Sequence, residues 1–331
     1  MKQKRGQLKF NGICGLKNIR GGCFLNSTIQ CVKVLPKLHE HLGGEDDVTS
    51  ELKLLFELMM APEVTSVTPT GLGAMRAQIK FQYGQYMQQQ DAADALNFIL
   101  TSINEAQTTT TSPRLSELLS GKVATTIQCE CTNESVSDQN FMTFPVRIQT
   151  GASRELGESL AQDDKSLGES SVNDDDDSCS LEESLRQEFA PKNLVALEWR
   201  CIGCQSSPGA VKKTQMLVPP KVLALHLLRG IDPDTKIDNL VMFPFTLDIG
   251  QHVRGEDVGS VIYHLTAVTN HYGSADSGHY TAFCRSSDGD VWYELDDTKV
   301  TVLPKDKVVT AGAYIIYYTR VNLCPSTWLM V

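Results

Sequence analysis

Residues 15–36 read Gly-Leu-Lys-Asn-Ile-Arg-Gly-Gly-Cys-Phe-Leu-Asn-Ser-Thr-Ile-Gln-Cys-Val-Lys-Val-Leu-Pro. A turn containing Gly21 and Gly22 leads into a run in which Leu25, Ile29, Val32 and Leu35 recur at helical spacing, and Pro36 closes it. The stretch predicts a helix that opens at Cys23. Residues 51–60, ELKLLFELMM, read as a second, buried helix. Asp91 to Ile103 reads as another, with Leu96, Ile99, Leu100 and Ile103 on one face. Near residue 120 the pattern changes. VATTIQCEC (123–131) and MTFPVRI (142–148) show the alternation and β-branching of strands. A short helix follows, with Leu181, Leu185 and Phe189 on one face. KVLALHLLR, VIYHLTAVTN, HYTAFCR, DVWYEL and AYIIYYT then all read as strands. There is no internal repeat. Helices first and strands afterwards imply an α+β fold with segregated layers.

The 331 residues suit one large domain or two ordinary ones. Hydrophobic residues, at 41%, suffice for a core. The basic N-terminus has no apolar run behind it, so it does not read as a signal peptide. No stretch approaches the ~18 apolar residues of a membrane span. A soluble intracellular protein is expected. The net charge of −10 is concentrated: residues 151–180 hold nine acids and two bases, so −7, which leaves −3 for the other 301. That segment is poor in large apolar residues and reads as a disordered loop. The main body has no nucleic-acid signature and no membrane signature.

In a reducing compartment, ten cysteines are shared among metal ligation, catalysis and plain burial. Cys23 stands out. A helix N-terminus stabilises negative charge and so favours a thiolate, whereas Cys14 falls in a loop and Cys31 inside the same helix. A thiol protease also needs a base, a group that orients the base, and donors for the oxyanion. Asn18, five residues before Cys23, offers an amide donor, or else is an ordinary turn asparagine. His279 follows Gly278 at the start of a strand, and glycine there permits close approach. His226 and His264 fall within strand patterns and read as packing residues. His271 sits at a loop entrance. Asp296 and Asp297 lie one hairpin beyond His279, with Asp288-Gly289-Asp290 as its turn, and can fix its tautomer. The alternative is a surface turn pair.

At this point the residues resemble a known family. Gly15 to Asn18 with Cys23 to Ser27 is similar to the cysteine box of the ubiquitin-specific proteases. Ser277-Gly278-His279-Tyr280 with Trp292 to Asp297 is similar to their histidine box. Gln89-Gln90-Asp91-Ala92, Leu181 to Leu185, Ala224 to Arg229 and Ala313 to Arg320 resemble further family segments, so the likeness covers residues 12–321 in order. It implies a papain-like cysteine protease fold with thumb, palm and fingers in one catalytic domain, 1–331. The helical thumb would be 12–115, the fingers 116–215 with the acidic insert 151–180, and the palm sheet 216–321. It implies Cys23 as nucleophile, His279 as base, Asp296 as orienter and Asn18 as oxyanion donor. On the substrate side it implies Asp91 pairing with an arginine of the modifier tail, His271 lining the cleft, and Gly278 and Tyr280 beside it.

Two departures bear on that reading. Arg20-Gly21-Gly22 stands where the family usually has Gly-Asn-Thr, which bears on the shape of the oxyanion loop. Asp94 and Ala95 stand where it usually has Glu and Phe, on a helix facing the modifier. Within the family, Ala275 to Tyr280 resembles the member that removes the interferon-induced two-lobed ubiquitin-like modifier. The implied partners are that modifier, its conjugates and the type I interferon receptor. The implied role is negative regulation of type I interferon signalling, in the cytoplasm and also the nucleus. No cofactor is implied for catalysis. Cys201-Ile202-Gly203-Cys204 reads as half of a structural zinc site. Its partner half, Cys129-Glu130-Cys131, is irregular, and Gln128 occupies the family's first ligand position. A slipped knuckle would bring Cys129 in; reduced structural cysteines are the alternative. A binding scaffold without chemistry is a second reading of the whole chain. A papain-like peptidase of unfolded chains is disfavoured by the long inserts between Cys23 and His279.

Overall fold

The computed structural model describes residues 13–42, 46–61, 63–83, 91–106, 115–149, 179–194, 199–205, 209–230, 235–255, 258–274, 277–286 and 291–324. The lead-in 1–11, Gln89, Gln90, Ala275, Asp276, the turn at 288–290 and residues 151–178 of the acidic segment lie outside them. The chain divides into two compact units. One holds residues 1–116, 266–308 and 325–331; the other holds 117–265 and 309–324.

The first unit begins with β1 (Gly15–Leu16), α1 (Cys23–Lys33), α2 (Asp47–Met60), β2 (Ser66–Val67), α3 (Leu72–Tyr83) and α4 (Ala92–Ala106). α1 is the core helix: Cys23 through Val32 are all buried. It packs on α4, whose Leu96, Ile99, Leu100 and Ile103 are fully buried on the anticipated face. α2 starts earlier than its apolar run, because the Asp46 carboxylate accepts the N–H groups of Val48 and Thr49 as an N-cap. It is amphipathic rather than buried: Leu54, Leu58 and Met60 face solvent. α3 was not anticipated from the sequence. Among its described side chains it buries Leu72, Met75 and Ile79, at a spacing too sparse to signal a helix.

The second unit opens with α5 (Ser116–Leu119), β3 (Gly121–Gln128), β4 (Glu134–Phe141), β5 (Thr143–Arg147), β6 (Cys179–Ser180), α6 (Leu181–Phe189), β7 (Lys192–Asn193), β8 (Val211–Val218), β9 (Val222–Leu228), β10 (Val241–Met242) and β11 (Thr246–Asp248). One sheet runs β4-β3-β8-β7. β4 is almost wholly exposed, so only its pairing with β3 makes it a strand, and nothing in Glu-Ser-Val-Ser-Asp-Gln-Asn-Phe announces it. The predicted strand at 123–131 ends at Gln128; Cys129 to Cys131 belong to a turn.

The chain then enters β12 (Ile262–Gly273), β13 (Gly278–Arg285), β14 (Trp292–Asp296), β15 (Lys299–Leu303) and β16 (Ala313–Arg320). In the second unit β16 pairs antiparallel with β9, which pairs parallel with β5. Pro145 is tolerated there because β5 ends the strand order, where a missing N–H costs no ladder bond. In the first unit β12, β13, β14 and β15 form an antiparallel meander, with β13 packed along α1. Helices before strands, in separate layers, match the α+β expectation. No helix among the described residues is long and apolar enough to cross a membrane.

Arg229, at the end of β9, is fully buried and serves as a bracket. Its Nε donates to Ala313 O (2.7 Å), and its Nη1 donates to Ile237 O (2.7 Å) and Asn239 O (3.1 Å). Arg229→Met keeps the volume but strands these carbonyls. It should destabilise by about 2–4 kcal/mol in chemical denaturation.

Candidate active site

Cys23 is the first residue of α1 and is 4% exposed. No side chain caps the helix at Gly22, and the N-terminal end of the helix, where Cys23 sits, favours negative charge. The loop before it is bent by two left-handed residues, Arg20 (φ 52°) and Gly21 (φ 75°). Arg20 occupies the position of the family's first glycine and adopts a glycine's conformation, which costs about 1–2 kcal/mol.

Asn18 is tied down at both ends of its amide. Its Oδ1 accepts from Gly22 N (2.8 Å), and its Nδ2 donates to Asp297 Oδ2 (2.9 Å). An amide nitrogen carries two hydrogens, so one remains for an oxyanion. Asp297, read from the sequence with Asp296 as an orienter of His279 or as a surface turn residue, instead anchors the cysteine segment. It sits at φ 50° between β14 and β15, accepts from Asn26 Nδ2 on Oδ1 (2.8 Å), and takes the Leu16 N–H on its carbonyl (2.8 Å). It is not a bland surface turn residue. The available signal was Asn26, a polar side chain on the buried face of α1 that had to find a partner.

His279 lies at the start of β13, and its Nε2 meets Asp296 Oδ1 at 2.6 Å. That bond holds the proton on Nε2 and leaves Nδ1 bare to accept another. Tyr280, the next residue, is buried. Burial, then the charge of Asp91, pushes the Tyr280 phenol well above its usual range, so it stays protonated. Asp91 caps α4 through Ala93 N (2.7 Å). His271 is not at a loop entrance. It is buried in β12 opposite Tyr280, its ring centroid 4.5 Å from the tyrosine's. A Cβ at Gly278 would lie 2.3 Å from His271 Nε2 and 2.5 Å from Tyr272 O, so only glycine fits. The close approach expected there is made by the protein's own histidine. Cys23, Asn18, His279, Asp296, Asp91, His271, Gly278 and Tyr280 all belong to the first unit.

The four remaining site residues belong to the second unit. Cys129 and Cys204 sulfurs are 3.6 Å apart, those of Cys131 and Cys201 are 3.5 Å apart, and all four lie within 4.8 Å of one another. Tetrahedral thiolates around zinc at ~2.3 Å would be separated by about 3.8 Å, so the donor set fits the metal. Cys129 does enter, and Gln128 does not. Both turns close alike: Thr132 (φ 70°) and Gln205 (φ 58°) are left-handed, and each N–H returns to the first cysteine's carbonyl at 3.0 Å. The backbone and side-chain N–H groups of Asn133 hold the Cys131 thiol down at about 6. The Cys204 backbone N–H lowers Cys201.

With this geometry in view, the comparison with known proteins is decisive. A family model described as ubiquitin carboxyl-terminal hydrolase matches residues 14–318. The chain belongs to the ubiquitin-specific protease family. Ubiquitin carboxyl-terminal hydrolase Usp2 of Drosophila melanogaster is 27% identical over 94% of this chain and 35% of its own length. Ubiquitin carboxyl-terminal hydrolase 15 of Homo sapiens is 37% identical over 40% of this chain and 14% of its own. The chain thus spans about a third or less of these relatives. Among solved structures, the SAGA Ubp8/Sgf11/Sus1/Sgf73 DUB module bound to ubiquitin aldehyde contains a similar chain. Its TM-score is 0.72 at 20% identity, over 94% of this chain and 70% of that one. The same module bound to monoubiquitin gives 0.73 at 22%, over 94% and 69%. The likeness shows the ubiquitin-specific protease fold, papain-like and α+β.

Of this ubiquitin-specific protease's departures on α4, Ala95 is fully buried and acts through packing, whereas Asp94 is partly exposed. Burial, then the charge of Asp91, raises the Asp94 carboxyl to about 6. A carboxyl raised by folding binds its proton more tightly in the native state. Stability therefore falls as pH climbs from about 4 to about 6 and is flat above. Asp94→Asn should raise the melting temperature at pH 7.5 and leave it unchanged at pH 3.5, which paired thermal melts will read.

Proposed function

We propose that this protein is a thiol-dependent isopeptidase that removes ubiquitin, or a ubiquitin-like modifier ending in Gly-Gly, from conjugated proteins. The observation that carries the reading is the His279–Asp296 bond at the head of β13, packed along the helix that Cys23 opens. His279 takes the Cys23 proton on Nδ1, with Asp296 holding Nε2. The thiolate adds to the carbonyl carbon of the terminal glycine. The Cys23 N–H and the remaining amide hydrogen of Asn18 hold the oxyanion, and such a donor contributes about 3 kcal/mol to lowering the barrier. The tetrahedral adduct collapses to a thioester. His279 returns its proton to the departing lysine amine. Water, deprotonated by His279, then cleaves the thioester and restores the thiol. Asp91 would accept a charge-assisted bond from an arginine of the modifier tail, with Tyr280, Gly278 and His271 forming the wall beside it.

The names of the relatives and the titles of the solved neighbours support ubiquitin as the modifier. The finer reading follows the likeness to ubiquitin-specific protease 18. It makes the interferon-induced two-lobed modifier the substrate, the type I interferon receptor a partner, and negative regulation of interferon signalling the role, in cytoplasm and nucleus. Its support is the segment Ala275 to Tyr280 and the changes at Asp94 and Ala95. A scaffold without chemistry is disfavoured because the four residue types the chemistry needs, Cys23, Asn18, His279 and Asp296, are all present.

Electrophilic probes built on ubiquitin and on the interferon-induced modifier test both levels. Wild type should form an adduct about 8 or 17 kDa heavier, according to the probe, and Cys23→Ala none. Asp296→Asn, which loosens the imidazole, should slow adduct formation by a factor on the order of 10²–10⁴. Absence of any adduct would leave only the scaffold.

We further propose that Cys129, Cys131, Cys201 and Cys204 hold a structural zinc ion, with no part in the chemistry. Elemental analysis of purified protein should find about one zinc per chain, and Cys131→Ser should abolish it and lower the melting temperature. A content below about a tenth of an ion per chain refutes the site.

A further inference from the structure

A cavity of about 450 Å³ lies within the first unit against the loop that delivers Cys23. Ile19 and Arg20 of that loop line it, and Leu25, Pro69 and Leu72 give it an apolar floor. Arg76 and Lys80 complete it, four residues apart and so on one face of α3. Arg76 Nη1 donates to Ile19 O at 3.3 Å, which couples the cavity to the loop and leaves most of the guanidinium fork for a ligand. Among the described residues, no carboxylate lines the cavity or pairs with Arg20, Arg76 or Lys80. Three uncompensated cations over apolar floor, in a chain of net charge −10, form a receptor for an anion attached to something apolar.

We infer that this cavity is a subsite for acidic residues flanking the conjugated lysine of the substrate. The inference rests on the isopeptidase reading. A scissile bond has two sides. The modifier tail, which carries a cation, is met by the carboxylates at the head of α4, Asp91 and Asp94. Gly22, bonded to Cys23, also lines the cavity, so a ligand there lies against the loop that carries the proposed nucleophile, and the occupant is the leaving polypeptide. The signs agree: acids receive the tail and bases receive the target.

Three substrates test this: the modifier as a small fluorophore amide, and the modifier in isopeptide linkage to a lysine peptide with either Asp/Glu or Asn/Gln flanks. At low salt, kcat/KM for the acidic flank should exceed that for the neutral one by about tenfold, shrinking towards parity at high salt. Lys80→Gln should cut the ratio severalfold. Lys80→Glu should invert it, and Arg76→Lys should retain part of it. Equal cleavage of the two peptides, or a preference that survives Lys80→Glu, overturns the subsite while the isopeptidase stands. No cleavage of the fluorophore amide overturns both. Inorganic phosphate that changes fluorophore-amide turnover without any flank preference assigns the cavity to free anions and also overturns the proposal.

Discussion

Asp297 is where the cysteine segment and the histidine hairpin are joined. Its carboxylate accepts from Asn18 and Asn26, and its carbonyl accepts from Leu16, residues 271 to 281 positions away in the chain. A Cβ at Gly15 would lie 2.5 Å from the carbonyl oxygen of Thr298, so β1 can dock on this turn only because residue 15 is glycine. The other edge of β1 is secured by Gly15 N to Thr65 O and Lys17 N to Val67 O, both 2.9 Å. The loop leading to Cys23 is thus suspended between β2 and the β14–β15 turn. Because Asp296 precedes Asp297, the same turn that anchors the helix opened by Cys23 also presents the carboxylate bonded to His279. One short backbone segment therefore sets the positions of His279, Asp296 and the loop before Cys23 together.

That arrangement places left-handed backbone on both sides of the joint. Arg20, Gly21 and Asp297 are all left-handed, and two of the three carry side chains. Such conformations persist only where surrounding bonds over-determine them. Here the bonds are visible: Asn18 to Gly22, Asn18 to Asp297, Arg76 to Ile19. These bonds tie the loop before Cys23 to the α1 N-terminus, to the β14–β15 turn and to α3. The His271–Gly278 approach plays a matching part on the strand side, since the ring fills the space a Cβ would take and sets where β13 begins.

The ten cysteines divide by environment. Cys31 and Cys284 are buried on facing elements, α1 and β13, with Cys31 accepting from Thr269 Oγ1 (3.3 Å) and Cys284 donating to Gln30 O (3.5 Å). Burial pushes Cys284 and Cys14 upward, so these thiols stay neutral and pack as small apolar groups. The second unit holds Cys131 and Cys201 low instead, by pointing backbone N–H groups at them. Two turns of unequal length, Cys-x-Cys and Cys-x-x-Cys, reach the same geometry because each is closed by one left-handed residue, Thr132 or Gln205.

Periodicity alone determined the long elements: α1 from Leu25, Ile29 and Val32, α4 from Leu96 to Ile103, and β9, β12, β13, β14 and β16 from their apolar runs. Those elements bury large faces, and burial is what a one-dimensional pattern records. The places of Cys23, His279 and Asp296 at element boundaries were likewise legible, at the head of α1, the head of β13 and the end of β14. Tertiary structure decided what depends on contacts across long stretches of chain. It made a strand of the polar β4 by pairing it with β3, and placed the sparse α3 beside the Cys23 loop. It turned His271 inward against Tyr280, brought Cys129 rather than Gln128 into the thiol cluster, and gave Asp297 its three donors. A hydrogen bond between residues some 270 positions apart leaves no local pattern to read; only the folded backbone brings the partners within reach.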